Sequence, residues 1–260
     1  MFRLRHLEHT SRAWDNVRAW IRGMNPEHIP YGLDASQFFK LRCPEQAVTG
    51  FAVFVHGGFW RAKYDLSHAN PFCAALAANG VITANLEYRR VDQPGGGWPG
   101  TFEDVVAGLK SASEDVGRVP VLVGHSAGGH LALRLANAPV PMKAVIALAP
   151  VADLRLACEL KLSNRAVVEF LGGTPEAMPS RYEEACASTH ASSARSIIVH
   201  GTKDEDVPIA ITRAFMRARK SDPRPPELLE LTDAGHMDLI DPESRAGLSV
   251  IDLVTRLTRE

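Results

Sequence analysis

The chain has 260 residues, of which 45% are hydrophobic and 23% charged, a composition typical of a soluble globular protein with a substantial core. Its formal net charge of −1 argues against nucleic acid or an anionic membrane as a partner. Residues 1–9 carry charges where a signal peptide needs an apolar run, and the longest apolar stretch, 144–152, is too short to span a bilayer. We therefore expect a cytoplasmic protein.

Short apolar runs rich in β-branched residues alternate with amphipathic segments, which predicts a mostly parallel sheet flanked by helices. In chain order, strands are predicted over residues 38–41, 51–55, 81–86, 119–123, 143–148 and 196–199, and a less regular pattern predicts a last strand over 227–231. Helices are predicted over residues 67–79, 101–115, 127–137, 208–220 and 242–258. Thr101, three residues before Asp104, predicts a capping box at the start of the second helix.

Residues 151–193 fit a strand poorly and contain two helix-like pieces, around 164–171 and 180–187. We interpret this stretch as at most a small cap excursion over the sheet, which could supply one wall of a pocket. No repeat or long linker divides the chain, so residues 1–260 are predicted to form a single α/β domain. The pattern leaves the role of residues 1–30 open, and it is compatible with a homodimer.

A serine lies between a predicted strand and a predicted helix in the segment Gly124-His125-Ser126-Ala127-Gly128. This is G-x-S-x-G in the strand–turn–helix context of a nucleophile elbow, the mark of the α/β-hydrolase fold. Glycines at the two flanking positions remove side chains that would collide in so tight a turn, and the helix N-terminus favours negative charge nearby. The pattern predicts Ser126 as a nucleophile.

A glycine pair follows the strand over 51–55, in the loop His56-Gly57-Gly58-Phe59-Trp60. In esterases and lipases a loop of this type turns backbone N–H groups towards the tetrahedral intermediate. The N–H of Gly58 or Phe59, together with that of Ala127, would form the oxyanion hole. We expect His56 to anchor the loop by hydrogen bonds.

An acid and a base should follow the serine in that order along the chain. His236 lies after the weak strand over 227–231 and is the predicted base. For the acid, Asp204 is preferred because it lies nearest the end of the strand over 196–199, and Asp206 is the alternative. Glu205 is expected to face solvent, and Asp238 to hold its own loop.

Four further side chains are candidates for a substrate pocket, although core packing accounts for each at least as well. They are His125, Trp60, Trp98 and Met237. The four cysteines, Cys43, Cys73, Cys158 and Cys186, show no C-x-x-C pair, and the histidines show no metal-ligand spacing. We expect reduced thiols, no metal and no cofactor.

Several segments resemble small bacterial α/β-hydrolases of the kynurenine formamidase (arylformamidase) and carboxylesterase group. They are HGGFW at 56–60, GHSAGGHLAL at 124–133, HGTKDEDVP at 200–208 and AGHMDLIDP at 234–242, with Glu87-Tyr88-Arg89, Trp98-Pro99 and Asp104 between the first two. The resemblance implies a triad of Ser126, Asp204 and His236, with oxyanion donors at Gly58, Phe59 and Ala127.

The reading that follows is hydrolysis of a small carboxylic ester or an aryl formamide through an acyl-enzyme. The acid loop also resembles that of prolyl-oligopeptidase-type hydrolases, so a peptidase or amidase is an alternative. A non-catalytic ligand-binding protein that keeps the hydrolase shell is an alternative of another class, and the presence of all three triad residues argues against it.

Overall fold

The computed structural model describes residues 28–190 and 192–260. Residues 1–9 and most of the N-terminal segment 1–30 lie outside the described residues. None of the helices in the described part of the chain combines the length and the apolar character needed to cross a membrane.

A single mixed sheet passes through the described residues. Its strands are β1 (Ile29–Pro30), β2 (Phe38–Arg42), β3 (Gly50–Val55), β4 (Val81–Leu86), β5 (Val121–His125), β6 (Ala144–Leu148), β7 (Ser196–Gly201) and β8 (Glu227–Leu231). They are arranged in the order β1-β2-β4-β3-β5-β6-β7-β8. The first two strands pair antiparallel, β2 pairs antiparallel with β4, and all later neighbours are parallel. This is the arrangement of the α/β-hydrolase fold, as predicted.

Helices lie on both faces of the sheet. They are α1 (Asn70–Ala78), α2 (Gly100–Val116), α3 (Ala127–Leu135), α4 (Leu154–Glu159), α5 (Leu162–Leu171), α6 (Pro179–Ala185), α7 (Ile209–Ala218) and α8 (Arg245–Arg259). A short 3₁₀ turn, Leu66–Ala69, precedes α1. The helices α4, α5 and α6 form the predicted excursion between β6 and β7.

The central strands are continuous apolar runs because each side of the sheet has its own core. Val53 and Leu122 pack with Leu131 of α3 in one core cluster. Phe54, the neighbour of Val53, points the other way and packs with Phe72 of α1 in the second cluster. Alternate residues of one strand therefore face opposite cores, and both faces must be apolar.

One predicted local feature is wrong. Helix α2 begins at Gly100 after Pro99, and no side chain caps it. Instead of a capping box, the Thr101 hydroxyl donates to the carbonyl of Arg89 at 2.6 Å, and the Asp104 carboxylate binds the Arg89 guanidinium. Thr101 and Asp104 thus form hydrogen bonds with Arg89, in the segment after β4, instead of capping the N-terminus of α2.

Candidate active site

Ser126 is placed on a strained turn at the carboxyl end of β5. Its φ of 57° and ψ of −118° lie in a region that non-glycine residues rarely adopt. The turn is held in place because the Ser126 N–H donates to the Leu148 carbonyl at 2.8 Å, and the Ser126 carbonyl accepts from His130 at 3.1 Å. Helix α3 begins at the next residue, so its N-terminus adjoins the serine.

The glycines around the serine are required by close backbone approaches. A Cβ on Gly128 would lie 2.1 Å from the carbonyl oxygen of Val55, and one on Gly124 would lie 2.2 Å from that of Gly128. A Cβ on Gly57 would come within 2.8 Å of the Cβ of Ser126. The elbow and the glycine loop after β3 are thus packed directly against each other.

Asp204 and His236 form a buried pair at the ends of β7 and β8. The Asp204 Oδ2 atom accepts a hydrogen bond from His236 Nδ1 at 2.7 Å. The other carboxylate oxygen, Oδ1, accepts the N–H groups of Asp206 at 3.0 Å and Val207 at 2.8 Å. Because a carboxylate can only accept, Nδ1 of His236 carries the proton and Nε2 is left to take another.

The charge of Asp204 is maintained by its donors. Burial raises the pKa of its carboxyl group, but hydrogen bonds from His200, His236 and the Val207 N–H outweigh burial. Together they hold the pKa of Asp204 well below its usual range. The residue is therefore a carboxylate at neutral pH.

The sequence did not reveal the part that His200 has in this pair. Its Nε2 lies 3.3 Å from Asp204 Oδ2 and 2.8 Å from the Val207 carbonyl, while Nδ1 lies 2.8 Å from the Thr212 hydroxyl. Asp204 is thus flanked by two histidines, of which His200 faces the interior and is fully buried. The signal that could have shown this is the spacing of four between His200 and Asp204 at a strand end.

The other acids of these loops lie elsewhere. Glu205 and Asp206 are both exposed, and Asp206 touches Asp204 only through its backbone N–H. Asp238 accepts the Gly235 N–H at 2.7 Å, so it stabilises the turn that carries His236.

The loop after β3 has an unusual backbone. Gly58, Phe59 and Trp60 all have positive φ values of 103°, 51° and 58°. Within the part of the chain that the structure describes, the N–H groups of Gly58, Phe59 and Ala127 donate to no protein acceptor. These donors are therefore available to a ligand beside Ser126.

The four candidate pocket residues are placed differently from one another. His125 is buried, its Nε2 donates to the His236 carbonyl at 3.1 Å, and the two imidazole rings are 4.5 Å apart. Trp60 is fully buried and stacks on Phe170 of α5 with ring centroids 4.3 Å apart. Trp98 is also buried beside Phe170, whereas Met237 is half exposed.

Burial keeps His125 neutral. The pKa of its imidazole lies well below the ordinary value, first because of burial and then because of the neighbouring His236. His125 therefore holds the backbone of His236 without adding a positive charge beside it.

The excursion is attached to the loop after β3 through Arg61. Its guanidinium donates to both carboxylate oxygens of Glu169 at 2.7 and 2.9 Å, and to the Ser163 carbonyl at 2.7 Å. Ser163 lies in a left-handed turn at the start of α5. The excursion and the glycine loop are consequently held together by this side chain.

We searched residues 28–190 and 192–260 for clusters of three or more histidine, cysteine, aspartate or glutamate side chains that could hold a metal ion. These residues contain no such cluster.

A family model described as BD-FAE matches residues 41–218, about two thirds of the chain. The chain belongs to the BD-FAE family. The match includes the glycine loop, Ser126 and Asp204 and ends before His236, so the family match does not bear on His236, which the sequence motif predicted and which the structure pairs with Asp204. The comparison of the sequence with curated proteins gave no significant match.

Solved structures similar to this BD-FAE protein carry esterase names. A truncated carbohydrate esterase from gut microbiota superposes with a TM-score of 0.74 at 16% identity, covering 90% of this chain and 96% of that one. For a thermophilic esterase of Thermogutta terrifontis the TM-score is 0.70, the identity 22% and the coverage 89% and 92%. For esterase B of Lactobacillus rhamnosis they are 0.73, 15%, and 94% and 93%. At these identities the likeness establishes the fold.

Proposed function

We propose that this protein is a serine hydrolase that cleaves a small carboxylic ester or an aryl formamide through an acyl-enzyme. The observation that carries the proposal is the 2.7 Å contact between Asp204 and His236 beside a strained Ser126. A nucleophile, an ionised acid and a base in the required tautomer follow the carboxyl ends of β5, β7 and β8, and His125, the neighbour of Ser126, donates to the His236 carbonyl. The esterase names of the similar structures also support it.

In the first half-reaction the Ser126 hydroxyl oxygen attacks the substrate carbonyl carbon while its proton passes to Nε2 of His236. Asp204 stabilises the imidazolium that forms. The carbonyl oxygen becomes an oxyanion, which accepts hydrogen bonds from the N–H groups of Ala127 and of Gly58 or Phe59. The intermediate then collapses, and the leaving group departs with the proton from His236.

In the second half-reaction water attacks the acyl group on Ser126. His236 takes the proton of the water, the oxyanion forms again in the same hole, and the Ser126 oxygen leaves with that proton. The acid product is released and the free enzyme is restored. His125 and His200 hold the His236 backbone and the Asp204 carboxylate, so neither needs to change protonation.

The test of this function is the Ser126→Ala variant. We expect it to lose turnover of short p-nitrophenyl esters by at least about 10³-fold and to lose labelling by a fluorophosphonate, because no other residue supplies the nucleophile. The wild-type protein, treated identically, is the control for labelling. Full activity in the variant would sink the proposal, and ligand binding without turnover in the wild type would favour a non-catalytic binder.

The choice between ester and formamide needs a separate measurement. Steady-state kinetics on N-formylkynurenine and on short p-nitrophenyl esters would compare kcat/KM for the two bond types. A large preference for the formamide would support the formamidase assignment implied by the motifs, and equal or lower activity would support a general esterase. A cytoplasmic location and a homodimer stay predictions.

A further inference from the structure

We propose that Glu87 and His56 are positioning residues that strengthen the oxyanion hole through a peptide bond. Glu87 holds His56 as an imidazolium, which donates to the Gly57 carbonyl and polarises the peptide whose N–H belongs to Gly58. The inference rests on the proposed function, because it gives the Gly58 N–H the role of oxyanion donor.

The geometry of His56 leaves its two ring nitrogens facing acceptors. Nδ1 lies 2.7 Å from the carbonyl oxygen of Gly57, and Nε2 lies 2.9 Å from Oε1 of Glu87. The ring is fully buried and stacks on Tyr88 with centroids 4.3 Å apart and planes 11° apart. Tyr88 also donates its hydroxyl to the His56 carbonyl at 2.7 Å, so the ring has no freedom to turn away.

Two acceptors require two protons on the ring. A carbonyl oxygen and a carboxylate can only accept, so both contacts are hydrogen bonds only when His56 carries a proton on each nitrogen. A neutral tautomer would set a nitrogen lone pair against one of these oxygens in a water-free site, which is costly.

Several hydrogen-bond donors around Glu87 keep its carboxyl group ionised. Its carboxylate accepts the N–H of Leu66 at 3.0 Å and that of Tyr88 at 3.1 Å in addition to His56. Burial raises the pKa of Glu87, but His56, Arg90 and the Leu66 N–H outweigh burial and lower it. The buried carboxylate is thus satisfied by several donors, as a buried charge must be.

The other titratable and charged groups near His56 are Asp65, His68 and Arg90. Arg90 lies 3.4 Å from Glu87, and the ring of His68 meets that of His56 edge-on at 5.7 Å. The pKa of His68 is lowered by burial and by His56, so His68 is neutral. Glu87 and Asp65 are the carboxylates that face the charges of His56 and Arg90 behind the glycine loop.

The hydrogen bond to Gly57 acts on the opposite end of the same peptide group. The Gly57 carbonyl and the Gly58 N–H are joined through one C–N bond with partial double-bond character. A cation donating to the carbonyl draws electron density from the nitrogen, and chains of hydrogen bonds polarise one another in this way. The Gly58 N–H then becomes a stronger donor to an oxyanion.

Glu87 and Arg90 also hold the shape of the loop. Arg90 donates to the Tyr64 carbonyl, and Tyr64 packs so closely on Gly58 that a Cβ there would lie 2.4 Å from the Tyr64 Cβ. Glu87 holds the Leu66 N–H two residues later. The segment from His56 to Leu66 is therefore held at His56, Tyr64 and Leu66 by the Glu87–Arg90 pair.

The first test is the Glu87→Gln variant, which keeps the size and one acceptor oxygen but removes the charge. We expect kcat on the best ester to fall about tenfold, less than the roughly 10²–10³-fold for loss of a whole oxyanion donor, with KM within about twofold. Binding of a trifluoromethyl ketone, which forms an oxyanion on Ser126, should weaken by the same factor as kcat/KM. Glu87→Asp, which restores the charge, should recover part of the loss.

The matched control is Asp104→Asn. Asp104 is as buried as Glu87 and likewise holds an arginine, Arg89, but within the described part of the chain its hydrogen bonds go to Arg89 and Gln37 and to no residue of the glycine loop. We expect a comparable loss of thermal stability with kcat and ketone binding unchanged. Equal kinetic effects of the two substitutions, or wild-type kinetics in Glu87→Gln, would overturn the proposal.

The second test uses the wild-type protein and does not depend on a variant folding. With ¹⁵N-labelled histidine, ring nitrogen shifts at about pH 8, well above the usual imidazole pKa, should show one doubly protonated ring that is absent from His56→Gln. A wild-type spectrum with only neutral rings would overturn the proposal. If the wild type showed neither ester turnover nor labelling, the proposed function would fail, while the spectrum would still decide the state of His56.

Discussion

At the scale of single residues, the site depends on which atoms are hydrogen-bond donors and which are acceptors. Asp204 offers two oxygens, and the structure supplies them with His236, His200 and two backbone N–H groups. Asp206, two residues further on, is exposed and contributes only its N–H. The choice between these acids is thus made by the turn after β7, which points one carboxylate inward and the other to solvent.

This difference gives a paired prediction. Asp204→Asn should lower kcat by roughly 10³–10⁴-fold, because an amide can donate to His236 and favour the wrong tautomer. Asp206→Asn should leave kcat within about twofold of the wild type. Steady-state kinetics of both variants on one ester, with thermal melts to check folding, would measure this. A larger loss in the Asp206 variant would reverse the assignment of the acid.

At the scale of elements, the excursion is attached to the sheet by a few buried polar contacts. His130, in the second turn of α3, directs Nε2 to the carbonyl of Ala185 at the end of α6, 2.9 Å away. Burial is the main cause that lowers the pKa of His130 to about 4. The neutral imidazole therefore joins two helices that are far apart in sequence.

This contact predicts a pH dependence of stability. In the unfolded chain the His130 imidazole has its ordinary pKa of about 6.5, whereas in the folded protein its pKa is about 4. Between these two values only the unfolded chain binds the proton, so the free energy of unfolding decreases as the pH falls. His130→Gln retains a donor for Ala185 and does not titrate. Between about pH 7 and pH 5 the wild type should lose about 2 kcal/mol more unfolding free energy than the variant.

Urea unfolding of both proteins at the two pH values would measure the difference. The His125 imidazole is common to the two proteins, so its own contribution cancels in the comparison. Parallel losses in wild type and variant would show that His130 is not responsible.

At the scale of the whole molecule, the site is held by cores on both faces of the sheet. Helix α8 covers one face with Val254 and Leu257, and Lys143 donates its ammonium to the Thr258 carbonyl at 2.8 Å. The same helix is capped at its N-terminus by Ser244, whose hydroxyl donates to the carbonyl of Asp238 in the His236 loop. Packing on this face of the sheet thus reaches the His236 loop.

The prediction at this scale compares two leucines of α8. Leu257→Ala, at a position 2% exposed, should lower the unfolding free energy by about 2–4 kcal/mol because it leaves a cavity in the core. Leu248→Ala, at a position 56% exposed, should cost no more than about 0.5 kcal/mol. Denaturant unfolding of the two variants would check this, and equal losses would contradict the packing of α8.

The sequence by itself determined the features that depend on local pattern. Apolar runs predicted every described strand except the two-residue β1, because buried parallel strands must be apolar on both faces, and the predicted ends differ from the structure by two residues or fewer. The spacing around Ser126 predicted the elbow, because only glycine fits where backbones approach within contact. The fold class followed from the same two signals.

The tertiary structure alone decided which distant side chains share a hydrogen bond. Thr101 and Asp104 have the spacing of a capping box, but both side chains form hydrogen bonds with Arg89 instead. His56 and Glu87 lie 31 residues apart, and only the parallel pairing of β3 with β4 brings their ends together. Partners of this kind are set by sheet order and loop path, which the pattern of neighbouring residues does not encode.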